Sequence, residues 1–569
     1  MLQVTRMQWW GALVVTVWFF AGATVQAGTW TPLANQPTFL NPPSQCALYP
    51  NANCAPPGNF SFGGVFAENL LTDGSVLIEA LAFDDNFNFS FVEYKLSPDA
   101  FGSYVNGTWK QVASLPDAAS AANPNGWGPF AFAAAVLPDG RVIYEGGEYT
   151  GFFDFLLTNR GAIYDPVADK WTSVSPPSFF VDLYPPRALF APNPIGDSQS
   201  VVLADGTFML ADKMSRQAAL LDLKTMTWTE TGTSTKADLN DEEGWTLLPN
   251  GKVLTVDCYT DFFFHLIPTY PTDPTNSEIY DPQTGQWSSA GSTINTLTDP
   301  VTAEMGPGVL RPDGTVFAVG APGSTSIYHV RSGRWSVGPH LPISPQGFQY
   351  TAQDAPGALL PNGNVLFGVS GGAEPPGGGY SGPPLAFFEF DGHRLIAEPT
   401  IPDGPILTSS NASLLLLPTG QVLAADSNTD VEIYTPDGHD TEHEHEHEHE
   451  QEHEWAPIVL WGPRAVHPGK SYELRGIRFN GMSQASMYGD EGQNATNYPL
   501  VRITNLRTNH VFYSRTHDHT SMAVASDDVV STHFDVPANQ ESGPSKLEVV
   551  ANGIASEPLM VLVKSDERD

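Results

Sequence analysis

Cysteine is nearly absent: a chain of 569 residues contains three. So few thiols exclude a disulfide-stapled scaffold and a cysteine-rich zinc module. Basic residues are scarce as well, 26 Lys and Arg against 63 Asp and Glu, for a formal net charge of −37. A surface of that sign repels phosphate backbones and anionic lipid, so neither nucleic acid nor a membrane is expected as a partner. It suits cation binding, or simply solubility in an exposed or salty medium.

Long apolar runs are missing except at the N-terminus. There Arg6 precedes an apolar stretch from Trp9 to about Ala23, followed by the small-residue pattern Val25-Gln26-Ala27. The stretch is too short for a comfortable membrane span. Residues 1–27 therefore read as a signal peptide, and the mature chain is expected to be secreted or periplasmic, soluble and monomeric. In an exported chain, Cys46 and Cys54 of QCALYPNANC are expected to form a local disulfide. Cys258, in KVLTVDC, has no cationic neighbour in sequence and reads as a buried structural thiol.

What is present is a repeat. Seven times an apolar run meets a turn ending in glycine and a second apolar run follows, at Gly74, Gly140, Gly206, Gly251, Gly314, Gly363 and Gly420. The phrases run from LLTDGSVLI to LLLPTGQVLA, 45 to 66 residues apart. Asp-Gly and Asn-Gly between β-rich runs signal hairpins, because glycine accepts the positive φ that such a turn needs. Seven of them at this spacing predict an all-β chain with a seven-bladed β-propeller.

The second half of the unit agrees. IYDPVADKW, LLDLKTMTW, IYDPQTGQW and IYHVRSGRW each read as a strand, a turn and a strand opening on Trp, at Trp171, Trp228, Trp287 and Trp335. The first unit has a looser version at Trp109, and the sixth carries Leu395 instead. VEIYTPDG of the last unit lacks a following Trp, while GTWTPL around Trp30 supplies a matching strand. The N-terminal strand is therefore expected to complete the seventh blade and remove the open edge. This assigns residues 28–62 to the closing strand and cysteine loop, and 63–436 to the propeller.

Residues 437–454 alternate His and Glu, including His443, His445, His447 and His449, and offer nothing apolar to bury. They read as a solvated linker whose imidazoles could hold Zn²⁺, Ni²⁺ or Cu²⁺ loosely. From 455 to 565 short alternating strands such as SYELRGIRF and SKLEVVANG predict an immunoglobulin-like β-sandwich. Its SRTHDHTSM phrase gathers Arg515, His517, Asp518 and His519, with Tyr498 and Arg502 upstream. His-x-His is half of a metal site, but with no third ligand the residues are expected to pack the sandwich against the ring.

This order of signal peptide, seven kelch-like blades and a sandwich containing YGDEGQNATNYPLVRI resembles the galactose oxidase and glyoxal oxidase superfamily, over nearly the whole mature chain. The resemblance implies a copper site on the propeller axis, held by two His, a Tyr and a Cys-linked radical Tyr. It places the blade-derived ligands nine or ten residues before the turn glycine. Those positions here are Val65, Ala131, Asp197, Glu242, Met305, Asp354 and Asn411, and Gly64, Phe130, Gly196, Asp241, Glu304, Gln353 and Ser410. None is Cys, Tyr or His. The family's Tyr-His pair aligns with Ser410-Asn411, and its sandwich His with Gln493. Copper is therefore not expected.

Acids stand in its place: Asp197, Asp241, Glu242, Glu243, Glu304 and Asp354. Converging on the axis they would form a mouth for a hard cation such as Ca²⁺; otherwise they are solvated singly or paired with Lys and Arg. Aromatic loop residues, among them Trp127, Tyr149, Phe152 and Phe262, suit either sugar stacking or burial in their own loops. The expected function is non-catalytic binding of a glycan, polymer or protein on the propeller face. The alternatives are a copper radical oxidoreductase with displaced ligands, and a cation-assisted enzyme at the axis.

Overall fold

The computed structural model describes residues 28–42, 63–152, 154–180, 194–258, 274–299, 302–373, 381–437, 454–488 and 494–565. The signal segment, Cys46, Cys54, the linker histidines His443, His445, His447 and His449, Gln493 and Phe262 lie outside these. Seven antiparallel sheets stand around an axis, with inner strands Val65–Leu70, Ala133–Val136, Ser200–Val202, Thr246–Leu247, Gly308–Leu310, Pro356–Leu359 and Ser413–Leu416. They are blades 1 to 7 in that order. The inner strand of blade 7 lies against that of blade 1, so the ring is closed.

Each blade follows from its phrase. The seven turn glycines all hold φ between +73° and +88°. Each donates its amide to the carbonyl three residues back, as Gly140 does to Leu137 at 2.8 Å and Gly314 to Arg311 at 3.0 Å. The turn is thus a four-residue one with a left-handed glycine at its end. The acid or amide before the glycine closes it further: Asp205 Oδ1 accepts the Thr207 amide at 2.9 Å and Asn362 Oδ1 the Asn364 amide at 3.0 Å.

The outer half is a cross-strand aromatic pair. Tyr164 stands opposite Trp171, Tyr280 opposite Trp287 and Tyr328 opposite Trp335, with ring centroids 5.1–5.3 Å apart. In four blades the indole N–H reaches the preceding blade one to three residues past its outer strand, whereas Trp335 donates to the Ser277 hydroxyl at 2.9 Å. Trp109 donates to Asn35 O at 2.7 Å, Trp171 to Ala113 O at 2.9 Å, Trp228 to Ser175 O at 2.8 Å and Trp30 to Pro399 O at 2.7 Å. Trp30 belongs to the N-terminal strand Thr29–Pro32, which pairs antiparallel with Val431–Thr435 and completes blade 7.

The C-terminal strands form one continuous nine-stranded sheet. It curls because Val511–His517 pairs with Leu500–Asn505 along its first half and with Val530–Asp535 along its last. Leu474, Val501, Phe534, Leu547 and Val561 fill the space between the two halves. One strand changing sides in this way is how a sandwich turns a corner. The domain sits on the turn face of the ring: a Cβ on Gly74 would strike Tyr513, on Gly363 Trp455, and Gly553 touches Gly420. Arg515 Nη2 donates to Asp139 O at 2.7 Å, the His519 amide to Pro138 O at 3.0 Å, and Tyr498 Oη to Leu70 O. A further short strand, Ser486–Tyr488, leaves the domain and pairs with the inner strand Pro356–Leu359, giving blade 6 a fifth strand in the central channel.

Trp30 packs on Phe387 and Tyr434, each at 4.9 Å, besides its bond to Pro399. Trp30→Ala is expected to cost about 2–4 kcal/mol, since it opens the seam at which the two chain regions meet. Chemical denaturation checks this; a change within about 0.5 kcal/mol would show that the closing strand is not needed.

Candidate functional site

The inner strands enter the ring at the end opposite the turns, and the chain bends sharply as it does so. Ala131, Glu242 and Asp354 occupy the same place in their blades and all have positive φ, +51°, +55° and +43°. This shared left-handed step brings the residues before each strand to the axis.

The structure brings most of the expected acids together, but around a lysine. Lys213 Nζ binds Asp197 Oδ2 and Glu242 Oε1 directly and lies 3.3 Å from Asp241 Oδ1. All four side chains are buried or nearly so, at 3–10% exposure, so the ammonium replaces water for three carboxylates. Burial pulls the lysine down, yet Asp197, Glu242 and Asp241 together hold it well above the usual range. Burial also pushes Asp197 up, against the pull of Lys213. Glu304 is raised by burial and then by the adjoining Asp354 and Glu242 carboxylates, to which Asp354 adds a hydrogen bond. One lysine cannot neutralise five acids, and the Glu304–Asp354 pair is where burial and like charge favour a bound proton.

Glu148 extends this cluster: its amide reaches Ala131 O at 3.0 Å, and burial together with Glu242, Asp354 and Asp241 pushes its carboxyl up to about 7 against Lys213. The neighbouring acid Glu243 belongs elsewhere. It turns away from the axis to Lys236 at 2.7 Å, beside Asp238 at 2.5 Å, Glu278 at 2.9 Å and Asp257 at 3.8 Å. Asp238, Asp257 and Glu278 offer oxygens close enough for a metal ion. Lys236, fully buried, already supplies the positive charge there, and this second cluster ties blade 4 to its entry loop.

On the other side of the axis, between blades 7, 1 and 2, is a cleft of about 70 Å³ that opens to solvent. Phe66, Phe130, Phe132 and small alanines form its walls; Ser410, Asn411, Ser413, Ser427, Asn494 and Glu68 provide its polar groups. Ser410 and Asn411 sit on a single 3-10 turn, Ser409–Asn411, where Asn411 Oδ1 accepts the Thr408 amide at 2.9 Å. Phe66 and Phe130 meet edge to face at 5.4 Å. Asn494, next to the expected Gln493, reaches in from the C-terminal domain and donates to Leu414 O at 3.0 Å. Glu68 is 2% exposed, with the Ser413 hydroxyl as its hydrogen-bonding neighbour. Burial pushes it up to about 8, with the nearby Ser413 hydroxyl acting the other way.

The sandwich constellation is structural. Asp518, at φ +52°, ends the strand between the two histidines. His517 bonds Asp518 Oδ2 at 2.9 Å and Asp535 Oδ1 at 3.2 Å, whereas His519 is buried against Thr532 Oγ1 at 2.9 Å. Arg502 pairs with Glu548 at 3.1 Å. Of the loop aromatics, Trp127 is buried with its N–H on Gly146 O at 3.1 Å, and Phe152 packs on Phe89 at 4.8 Å. Cys258 is a buried free thiol, pushed up by burial and by Glu243.

Lys213, Glu148, Glu68 and Asn494 are the site residues that spacing alone does not single out. Lys213 follows its turn glycine by seven residues, in FMLADK, just past a strand end. A lysine there, in a chain so poor in bases, is the one signal that could have marked it.

No protein-family model matches the chain, and no curated protein matches it. Among solved structures it is similar to a fungal alcohol oxidase of the AA5 family in complex with copper, with 13% identity, a TM-score of 0.45, and 89% of this chain and 98% of that chain covered. It is also similar to a catalytically inactive virginiamycin B lyase from Staphylococcus aureus with quinupristin, with 10% identity, a TM-score of 0.29, and 53% and 94% covered. A chain of the mitotic checkpoint complex gives 9% identity, a TM-score of 0.39, and 76% and 98% covered.

Two outcomes follow from the buried acids. Glu68 and Glu432 hold their protons to about pH 8, and Glu148 and Asp257 to about pH 7, whereas ordinary values are 4.5 and 3.8. The folded chain thus binds more protons than the unfolded one above those ordinary values. Its stability should fall as pH rises from about 4.5 to 8, read as a falling thermal midpoint; a rise over that range contradicts the assignment. Lys213→Met strands three buried carboxylates and is expected to cost about 3–5 kcal/mol at pH 8 and less at pH 5, where they can protonate.

Proposed function

We propose that this is an exported, non-catalytic binding protein whose axial cleft takes a small polyhydroxylated unit, such as one residue of a glycan or polymer. The observation that carries the reading is the cleft itself. It is walled by three phenylalanines and dotted with hydroxyl, amide and carboxyl groups, a lining that suits the apolar faces and polar rim of such a unit.

The donor set argues against copper. A copper radical centre needs imidazoles and a thioether-linked phenol. Ser410, Asn411, Asp197, Glu242, Glu304 and Asp354 offer hydroxyl, amide and carboxylate oxygens. Calcium, the other candidate, suits carboxylates, but Lys213 already stands among Asp197, Asp241 and Glu242. No catalytic step is derived from these residues.

Calorimetric titration of the mature protein with neutral mono- and oligosaccharides tests the reading. Binding is expected, weakened about tenfold by Phe130→Ala through loss of ring contact. Titration unaffected by that change would overturn it. So would stoichiometric copper in protein lacking residues 437–454, together with oxidation of a primary alcohol or aldehyde.

A further inference from the structure

We propose that the hairpin end of blade 7 is a calcium site, with Asp403, Asp426, Asp430 and Glu432 as its oxygen ligands. It is a second site, independent of the axial cleft. Blade 4 shows what this place in a blade holds. There Asp257 is the first residue past the second strand, Val253–Val256, and Glu278 is the second residue of the third, Ser277–Asp281. Asp238 comes from the loop that enters the blade. Their oxygens lie close enough together for a metal ion, and they gather about one cation, the Lys236 ammonium, at 2.5–3.8 Å.

Blade 7 repeats the acids without the lysine. Ala425 pairs with Val431 as Val256 does with Ser277, so Asp426 and Glu432 hold the places of Asp257 and Glu278. Asp403 comes from the loop entering blade 7. Two residues before it, where Lys236 precedes Asp238, stands the buried Ile401. Asp430 adds a fourth acid where blade 4 has Asn276, which donates to Asp257. Strand alternation turns Asp426, Asp430 and Glu432 to one side of the hairpin. Burial and then the Glu432, Asp403 and Asp430 carboxylates push Asp426 up; burial, Asp430 and Asp403 do the same to Glu432. Asp403 accepts Asn428 Nδ2 at 2.9 Å, and Asp426 accepts the Asn428 amide. Glu432 is 1% exposed and, among the described residues, neither of its oxygens has a partner. The charges that act on these acids are one another's.

Buried acids without a base are not by themselves a site. Glu79 and Glu93 in blade 1 face only each other, and one bound proton relieves such a pair. The blade 7 set is four acids at the position where blade 4 holds a cation. Its spacing, Asp426-x-Asn428-x-Asp430-x-Glu432, also delivers oxygens at alternate residues of one short loop, as calcium loops do. Calcium takes roughly six to eight oxygens in flexible geometry, so carboxylates can move in to meet it. Asn428 O accepts the Val65 amide at 3.0 Å, and Val431 bonds Gln36 beyond the closing strand. An ion here thus steadies the seam between blades 7 and 1. Glu432 holds its proton to about pH 8, so calcium displaces protons and binds tighter as pH rises.

The experiment is calorimetric titration of the chelator-treated mature full chain with calcium and magnesium chloride at pH 6 and pH 8. Calcium should bind at least about tenfold tighter at pH 8 than at pH 6, and at least about tenfold tighter than magnesium, which dehydrates reluctantly. Millimolar calcium should raise the thermal midpoint by about 3 °C or more. Asp426→Asn with Glu432→Gln should remove this binding and the calcium-dependent shift. In chelator its midpoint should equal or exceed that of the unaltered chain, because repulsion is relieved; acids serving only as structural hydrogen-bond partners would lower it. Should that double variant not fold, Asp430→Asn, which copies Asn276 of blade 4, should still weaken calcium binding severalfold. No calcium heat, calcium heat unchanged in these variants, or magnesium bound as tightly as calcium overturns the proposal and leaves the cleft untouched.

Discussion

Four of the ring's seven joints share one hydrogen bond, from an outer-strand indole to the backbone just beyond the outer strand of the blade before it. Within a blade, neighbouring strands already satisfy each other's amides and carbonyls. Between blades there is no ladder, and adhesion must come from packing and from whatever side chain can cross. Tryptophan does both: its face stacks on the tyrosine opposite while its N–H reaches a carbonyl outside the sheet. Because blade 1 is joined to blade 7 in the same way, by Trp109 and Asn35, the seam of the ring is built like its other joints. Blade 6 carries Leu395 at that place, and it is the blade that gains a fifth strand from the C-terminal domain.

The centre of the ring follows a different rule. Seven strand entries crowd there, and evenly solvated acids cannot all remain ionised. The molecule divides them. Asp197, Asp241 and Glu242 surround Lys213, Glu243 joins three others around Lys236, Glu304 keeps company with Asp354, and Glu68 stands by itself. Burying an ion pair gains little stability on its own account; Lys213 joins blade 3 to the entry of blade 4, whereas Lys236 holds blade 4 to its own entry loop.

Most of the architecture was legible in the sequence because it is periodic. Positive φ at Gly74 and its six counterparts, the Tyr-to-Trp register and the Thr29–Pro32 closing strand each leave a mark at fixed spacing. The curled C-terminal sheet was legible as strands, though not the bend in Val511–His517 that makes it continuous. The site was half legible. Asp197 and Glu242, read from their position along the inner strand, meet at Lys213, Glu304 adjoins Asp354, and Ser410 and Asn411 line the cleft. Position fails for Glu243, because adjacent residues at a left-handed bend point into different clusters. Lys213 lies just past the second strand of blade 3 and Glu68 in the middle of the inner strand of blade 1, so no spacing rule measured from the turn reveals that they share the axis.

The placement of the closing strand sets an order of events for a chain made from its N-terminus. Gln36 donates to and accepts from Val431, its partner 395 residues away. At a synthesis rate of about 5–20 residues per second, the first strand waits roughly 20–80 s for its sheet to exist. Throughout that interval the nascent arc carries two bare rims, and only the arrival of the last blade turns an adhesive crescent into a sealed wheel.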